Sequence, residues 1–410
     1  MRSRVITTVV VLTTASALAL TGCSSSKKKS TSGGLGNGGG NKSSSGSAPA
    51  TGVTYKLGFI GALSGPNAQL GINERQGAQL AIDQANAAHK HKFQVKLVLS
   101  DSEGDPAKAP PAATKLISDS TIVGVIGPAF SGESEAVNPS FCGASPPMPT
   151  VTASASRGTL QNHGWKCWHR IIPNDNVEGS QGADWLARSG AKKVFVLSDL
   201  SAYGAGVAGT MAHELQAKGV KVQTSGVDGK TTQNYNPIAQ TIASSGADAL
   251  FYGGYDTAAA LLAKALKSAG FKGRTVTGNG GKDSIFTKDA GAAGNGWYFT
   301  CGCQDATIAP SAKQFAADYK AKWKTDPSTY SSEAFDAANL FMDAMDKASA
   351  NGPVTRTSLL TALNAEDFQG ITTSIKFQPN GEVEAKNLVV NLFQEKNNQI
   401  VGIGDINKQS

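Results

Sequence analysis

Charge is scarce in this chain, and its excess of one sign is confined to one end. Only 17% of the 410 residues are Asp, Glu, Lys or Arg, and 7% are aromatic. The formal net charge of +7 suggests a basic protein. Residues 1–52, however, hold six basic side chains (Arg2, Arg4, Lys27, Lys28, Lys29, Lys42) and no acidic one, which leaves 32 Lys and Arg against 31 Asp and Glu in the body. A nearly neutral body has no electrostatic footprint for nucleic acid, and that class of partner is excluded. Catalytic hooks are missing too. The five histidines are scattered, His89 and His91 in a stretch read as solvated loop, and no H-E-x-x-H, Ser/His/Asp order or paired-carboxylate arrangement stands out. The reading is therefore of a protein that is not an enzyme, with no cofactor and no metal.

Residues 1–20 have a basic start followed by an apolar, Thr/Ala-rich run at 5–20, too short and too weakly apolar for a membrane span. This is the layout of an export signal. It ends in Leu20-Thr21-Gly22-Cys23, which resembles the bacterial lipoprotein signal-peptidase box. The resemblance implies a signal peptide over 1–22, cleavage before Cys23 and lipidation of its thiol, with several acyl chains anchoring the protein to the outer face of the bacterial cell membrane. Residues 23–52 are nearly all Ser, Gly, Lys, Asn and Thr, a composition that cannot bury a core and reads as a flexible tether.

Outside the cytoplasm disulfides persist, and the four cysteines left allow three pairings. Cys142 with Cys167 is the expected pair, closing a loop that contains Pro146, Pro147 and Pro149. Cys301 and Cys303 are then left as a C-x-C pair, strained if bridged. His163, Cys167 and His169 invite a metal reading, but their spacing fits no standard zinc pattern.

From Tyr55 onwards apolar strands alternate with amphipathic helices. Strands are expected at 55–60, 93–99, 122–126 and 150–152, with helices at 74–88, 105–118 and 131–138. A second series follows Pro173: helices at 177–189, 205–218, 238–244 and after Tyr255, strands at 193–197, 220–224, 249–252, 275–277 and 297–299. Helices at 312–324, 333–350 and 357–364 precede a hairpin around Pro379-Asn380-Gly381. Two successive β-α-β series point to two parallel-sheet domains, each of ordinary size, side by side. Ligands bind beyond strand C-termini in such sheets, so two facing domains make a cleft.

The centre of that arrangement is the run from Ile122 to Glu135. A β-branched strand buried on both faces breaks at Gly127-Pro128 and enters a helix at Ser131, where unpaired backbone N–H groups and a hydroxyl could hold a carboxylate. The competing reading is that Ser131 only caps its own helix. Thr152-Ala-Ser154-Ala-Ser156 follows the neighbouring strand, while Tyr203 and Tyr255 follow strands of the second domain. Each fits ordinary packing, but together at the ends of strands facing one cleft they favour a ligand. Gly204-Ala-Gly206-Val-Ala-Gly209 is a literal G-x-G-x-x-G, but Ser198 to Tyr203 separate it from its strand, so it reads as a permissive loop rather than a dinucleotide site.

Gly61-Ala-Leu-Ser-Gly-Pro66, Asp105-Pro106, Val125-Ile126-Gly127-Pro128, Tyr203-Gly204 and Phe251-Tyr252-Gly253-Gly254-Tyr255 together resemble the leucine/isoleucine/valine-binding protein family, the type I solute-binding components of ABC importers. The resemblance runs from about Tyr55 to the C-terminus. It implies an α/β fold of two Rossmann-like lobes with parallel sheets joined by a three-strand hinge, crossing near 172–173, 301–304 and 372–377. The N-terminal lobe would comprise 53–172 and 302–372, the C-terminal lobe 173–301 and 373–410. It further implies that Ser131 and Ser156 hold a carboxylate, that Ser154 offers its backbone carbonyl to an ammonium, and that Tyr203 and Tyr255 close over the ligand. Phe130 and Tyr330 complete the expected set. Two positions depart from the pattern: Gly280 stands where the amino-acid binders carry the glutamate facing the ammonium, and Leu70 where they carry a tyrosine. Asp283 is the nearest acid, expected to reach the site from the following helix.

The function implied is delivery of an amino acid or close derivative to a membrane permease and its ATPase by a monomeric receptor. The alternative is the same receptor for a solute without an α-amino group, such as a carboxylate, aromatic acid, amide or urea. An exported enzyme or a sensor lobe on the same fold is the third reading.

Overall fold

The computed structural model describes residues 52–384, 386 and 388–409. The expected signal peptide, Cys23 and the expected tether as far as residue 51 lie outside these. Among the described residues no helix is long and apolar enough to cross a membrane.

The first sheet is parallel throughout. It contains β1 (Thr54–Gly61), β2 (Gln94–Asp101), β3 (Ile122–Ile126), β4 (Thr150–Thr152) and β5 (Trp168–Arg170), in the order β2-β1-β3-β4-β5. Between them run α1 (Ala68–Ala87), α2 (Ala109–Ser118) and α3 (Ser131–Gly143). Every residue of β3 is buried, because helices cover both faces of the sheet. β5 is three residues long and carries no periodicity, and it lay outside the expected strands.

The second sheet is built from α4 (Asp175–Arg188), β6 (Lys193–Ser198), α5 (Ala202–Ala217), β7 (Lys221–Gly226), α6 (Asn236–Ser244), β8 (Ala249–Gly253), α7 (Asp256–Ser268), β9 (Arg274–Thr277), α8 (Ser284–Ala290) and β10 (Tyr298–Cys301). The chain then returns to the first sheet with α9 (Lys313–Trp323), α10 (Ser331–Ser349) and α11 (Arg356–Asn364), of which α10 packs on α1 and β3. After a small hairpin, β11 (Asp367–Gln369) and β12 (Ser374–Lys376), it rejoins the second sheet as β13 (Asn391–Lys396) and β14 (Gln399–Asp405). The order there is β14-β13-β10-β9-β8-β6-β7, parallel from β10 to β7 and antiparallel at β13 and β14. That antiparallel edge was absent from the sequence reading. The turn at Pro379-Asn380-Gly381 is present, with Gly381 at φ +83° and Gln378 N–H bonded to Glu382 O at 2.8 Å.

α1 starts six residues before its expected position. Its seat on α10 depends on Gly77, where a Cβ would fall 1.9 Å from the Ser331 carbonyl oxygen. α2 starts at Ala109 rather than 105, because the Asp105 carboxylate folds its own segment into a turn by accepting the Ala107 N–H at 2.9 Å. Cys142 and Cys167 are bonded, as expected, and so are Cys301 and Cys303, whose pairing the sequence leaves open. His169 bonds Asn364 Oδ1 at 2.8 Å and His163 stacks on Trp165, so the residues of the metal reading are otherwise engaged.

Candidate functional site

The C-terminal ends of β3 and β4 face those of β6, β8 and β9 across a cleft. Between them lies a small cavity of about 20 Å³. One wall comes from the first sheet and its helices: Leu70, Glu74, Ala129, Phe130, Ser131, Ser154, Ser156 and Tyr330. The other comes from the second: Tyr203, Tyr255, Asn279 and Gly280.

Ser131 is the first residue of α3, and Phe130 is the N-cap. The serine is therefore not a cap. Its Oγ accepts the Arg157 N–H at 3.1 Å, which occupies a lone pair and leaves the hydroxyl proton free to donate. The first N–H groups of α3 lack intrahelical acceptors, and this end of the helix favours an anion. Glu133 turns back instead, accepting the Phe130 N–H at 3.2 Å and the Ser102 hydroxyl. Burial pushes its carboxyl up to about 7 against those hydrogen bonds.

Thr152 Oγ1 donates to Pro128 O at 2.8 Å and Ser154 Oγ to Ala129 O at 2.5 Å, which ties the loop after β4 to the loop after β3. Ser156 Oγ lies 3.5 Å from Asn279 Nδ2, across the cavity. On the opposite wall Gly280 N–H donates to the Tyr203 hydroxyl at 3.1 Å. The Tyr203 and Tyr255 rings lie 5.3 Å apart, and Tyr255 meets Phe130 at 5.5 Å. Burial holds both tyrosine hydroxyls well above their usual range.

The two walls are drawn together by further polar contacts. Arg157 Nη1 donates to Ala202 O at 3.2 Å, Thr257 Oγ1 to Pro66 O at 3.2 Å, and Lys230 Nζ meets Asp105 Oδ2 at 2.6 Å. Buried Glu178 braces the second wall, accepting Asn279 N–H at 3.0 Å and the Thr300 hydroxyl at 2.7 Å.

Ser131, Ser154, Ser156, Tyr203, Tyr255, Phe130 and Tyr330 thus share one cavity. Asp283 does not join them. It caps α8, accepting Asn73 Nδ2 at 2.7 Å and the Ser284 hydroxyl at 2.8 Å, so the expectation that it reaches the site is corrected. Two polar residues of the lining lie outside the expected set, Glu74 and Asn279. Glu74 could have been found, because it lies on the same face of α1 as Leu70, Gly77 and Ala81, an otherwise small and apolar stripe.

A family model described as periplasmic binding protein matches residues 54–395. The chain belongs to that family, which consists of extracytoplasmic binding proteins rather than enzymes. It is similar to the leucine-, isoleucine-, valine-, threonine- and alanine-binding protein of Pseudomonas aeruginosa, 27% identical over 81% of this chain and 87% of that one. It is also similar to the Leu/Ile/Val-binding protein BraC3 of Rhizobium johnstonii, 27% identical over 80% and 85%. The leucine binding protein LivK of Thermotoga maritima shares the fold with a TM-score of 0.77 at 23% identity, over 85% of this chain and 97% of that one. So does LivJ of Streptococcus pneumoniae in complex with isoleucine, with a TM-score of 0.77 at 24% identity over 86% and 99%.

Proposed function

We propose that this protein is the solute-binding component of an ABC importer, taking an amino acid or close derivative into the cleft and passing it to a membrane permease and its ATPase. One observation carries the reading: hydroxyls of one half and tyrosines of the other line the same cavity. In this reading residues 53–172 and 302–372 form one lobe, and 173–301 with 373–410 the other, hinged where the chain passes between the sheets. Ser131 and Ser156 hold the carboxylate while Ser154 helps fix the loop beside it. Phe130, Tyr203, Tyr255 and Tyr330 enclose the solute and exclude water.

Charge-assisted hydrogen bonds contribute about 1.5–3 kcal/mol each, and micromolar binding needs about 8 kcal/mol net. Three or four such bonds plus ring burial reach that range. The relatives from Pseudomonas aeruginosa and Rhizobium johnstonii, both named for amino acids that they bind, support the solute class. A lipid on Cys23 would keep a monomeric receptor beside its permease.

The test is a thermal-shift screen of the full chain against the standard L-amino acids, each paired with its α-keto acid. A bound solute raises apparent stability by mass action, and stabilisation by one or a few amino acids is expected. Stabilisation by keto acids alone would replace the amino acid by a solute without an α-amino group. Turnover of the bound solute would replace the receptor by an enzyme.

A further inference from the structure

We propose that Glu74 takes the positive end of the solute, so that the cavity selects an α-ammonium group from the same wall that holds the carboxylate. The inference rests on the amino-acid reading above and names the residue that makes it specific.

Glu74 is fully buried and lines the cavity. Neither of its carboxylate oxygens has a hydrogen-bond partner in the structure. Its neighbours are committed elsewhere: Ser154 Oγ donates to Ala129 O at 2.5 Å, and Asn73 Nδ2 to Asp283 at 2.7 Å. A buried carboxyl without a partner is unfavourable by several kcal/mol if ionised, and a cation seated against it would remove that penalty.

No side chain supplies that cation. The residues around the cavity include no Lys, Arg or His. The opposite wall offers no competing acid either, since it consists of Tyr203, Tyr255, Asn279 and Gly280. Glu178 behind it is used by Asn279 and Thr300. Asp175 also has unpartnered oxygens, but it does not line the cavity. Burial and the nearby carboxyls of Glu133 and Glu333 hold Glu74 well above the usual carboxylate range, with Ser154 opposing. An arriving ammonium reverses that balance.

The geometry suits the role. Leu70 and Glu74 stand one helical turn apart, so both project to the same side of α1. Tyr330, held at φ +66°, presents a second unpartnered group, its hydroxyl, to the same cavity. A carboxylate and a hydroxyl acceptor can share the three protons of an ammonium.

The experiment is isothermal titration of the full chain with the standard L-amino acids and the matching keto acids, repeated on Glu74→Gln and Glu74→Asp. Glu74→Gln is expected to weaken the amino acid about 10–100-fold and its keto acid less than about threefold, with Glu74→Asp between. On the unaltered protein, the α-amide of the same amino acid, which keeps the ammonium, is expected to outbind the N-acetyl derivative, which loses it; this arm stands even where a variant fails to fold. An unchanged affinity in Glu74→Gln, or an N-acetyl derivative that binds as well as the amide, overturns the inference and leaves the receptor reading standing. No binding of any amino acid to the unaltered protein overturns the amino-acid reading itself.

Discussion

Tyr203 fills the space that a side chain on Gly280 would need. A Cβ at Gly280 would lie 2.6 Å from Tyr203 Cε1 and 3.1 Å from Tyr255 Cδ1, both on the ring edges that roof the cavity. Over-packing of this kind costs about 1–3 kcal/mol. The rings can yield only by moving, and moving them reshapes the small cavity that they roof. Gly280→Ala is therefore expected to weaken solute binding about tenfold while lowering the melting temperature by only a few degrees. Calorimetric titration checks this, and equal affinity in the variant would show that the two rings do not set the roof.

The Lys230–Asp105 pair joins the two sides of the cleft mouth at 2.6 Å, but Lys230 is 72% exposed. Solvent screening makes such pairs weak. Removing the lysine with Lys230→Ala is expected to change affinity less than about threefold at physiological salt, with a larger effect at low ionic strength. A tenfold loss at physiological salt would mean that this contact, rather than the cavity wall, governs closure.

Much of the site could be read because it lies where strands stop. Ser131, Ser154, Tyr203 and Tyr255 each follow a buried strand, and the sheet topology carries such positions to one cleft. Glu74 could not be placed this way. It stands within a helix between Asn73 and Arg75, in a run that looks solvent-facing when taken residue by residue. Its burial comes from α10, which packs on α1 from more than 250 positions further along the chain. Asp283 misled for the converse reason. An acid just after a strand end looks like a ligand group, yet at the start of a helix the local N–H groups compete for it, and here Ile285 N–H and Asn73 claim it. In β14 Gly402 and Gly404 interrupt the alternation, and the pairing of β13 with β10 and of β14 with β13 supplies what local pattern lacks.

The two disulfides are expected to differ in weight. Cys142–Cys167 spans 25 positions and ties α3 to the segment before β5, whereas Cys301–Cys303 spans two. On loop-closure grounds the first restricts the unfolded chain by about 3–4 kcal/mol and the second by about half that. The Cys142→Ser/Cys167→Ser double variant should therefore unfold at clearly lower denaturant than the Cys301→Ser/Cys303→Ser variant, both measured by urea titration. The reverse order would place the larger constraint where the chain passes between the sheets.

The buried carboxyls around the cavity predict an unusual pH dependence for the solute-free protein. Burial pushes Glu133, Glu178 and Glu333 up to about 7, and Asp175 up to about 8 with the Glu178 charge adding to it. A raised carboxyl binds more protons folded than unfolded over the interval between its two pKa values, so stability falls as pH rises through that interval. The contribution is complete below the unfolded values near 4 and is lost as pH passes about 7 to 8. The melting temperature is expected to decline from pH 5 to pH 8. Glu178→Gln removes one of these groups, and also one acceptor for the donors of Asn279 and Thr300. It should be less stable than the parent at pH 5 by about 1–3 kcal/mol, with a shallower decline. Calorimetry at pH 5, 6.5 and 8 on both proteins decides the matter, since a melting temperature that rises across this window would mean these carboxyls are already ionised in the folded state.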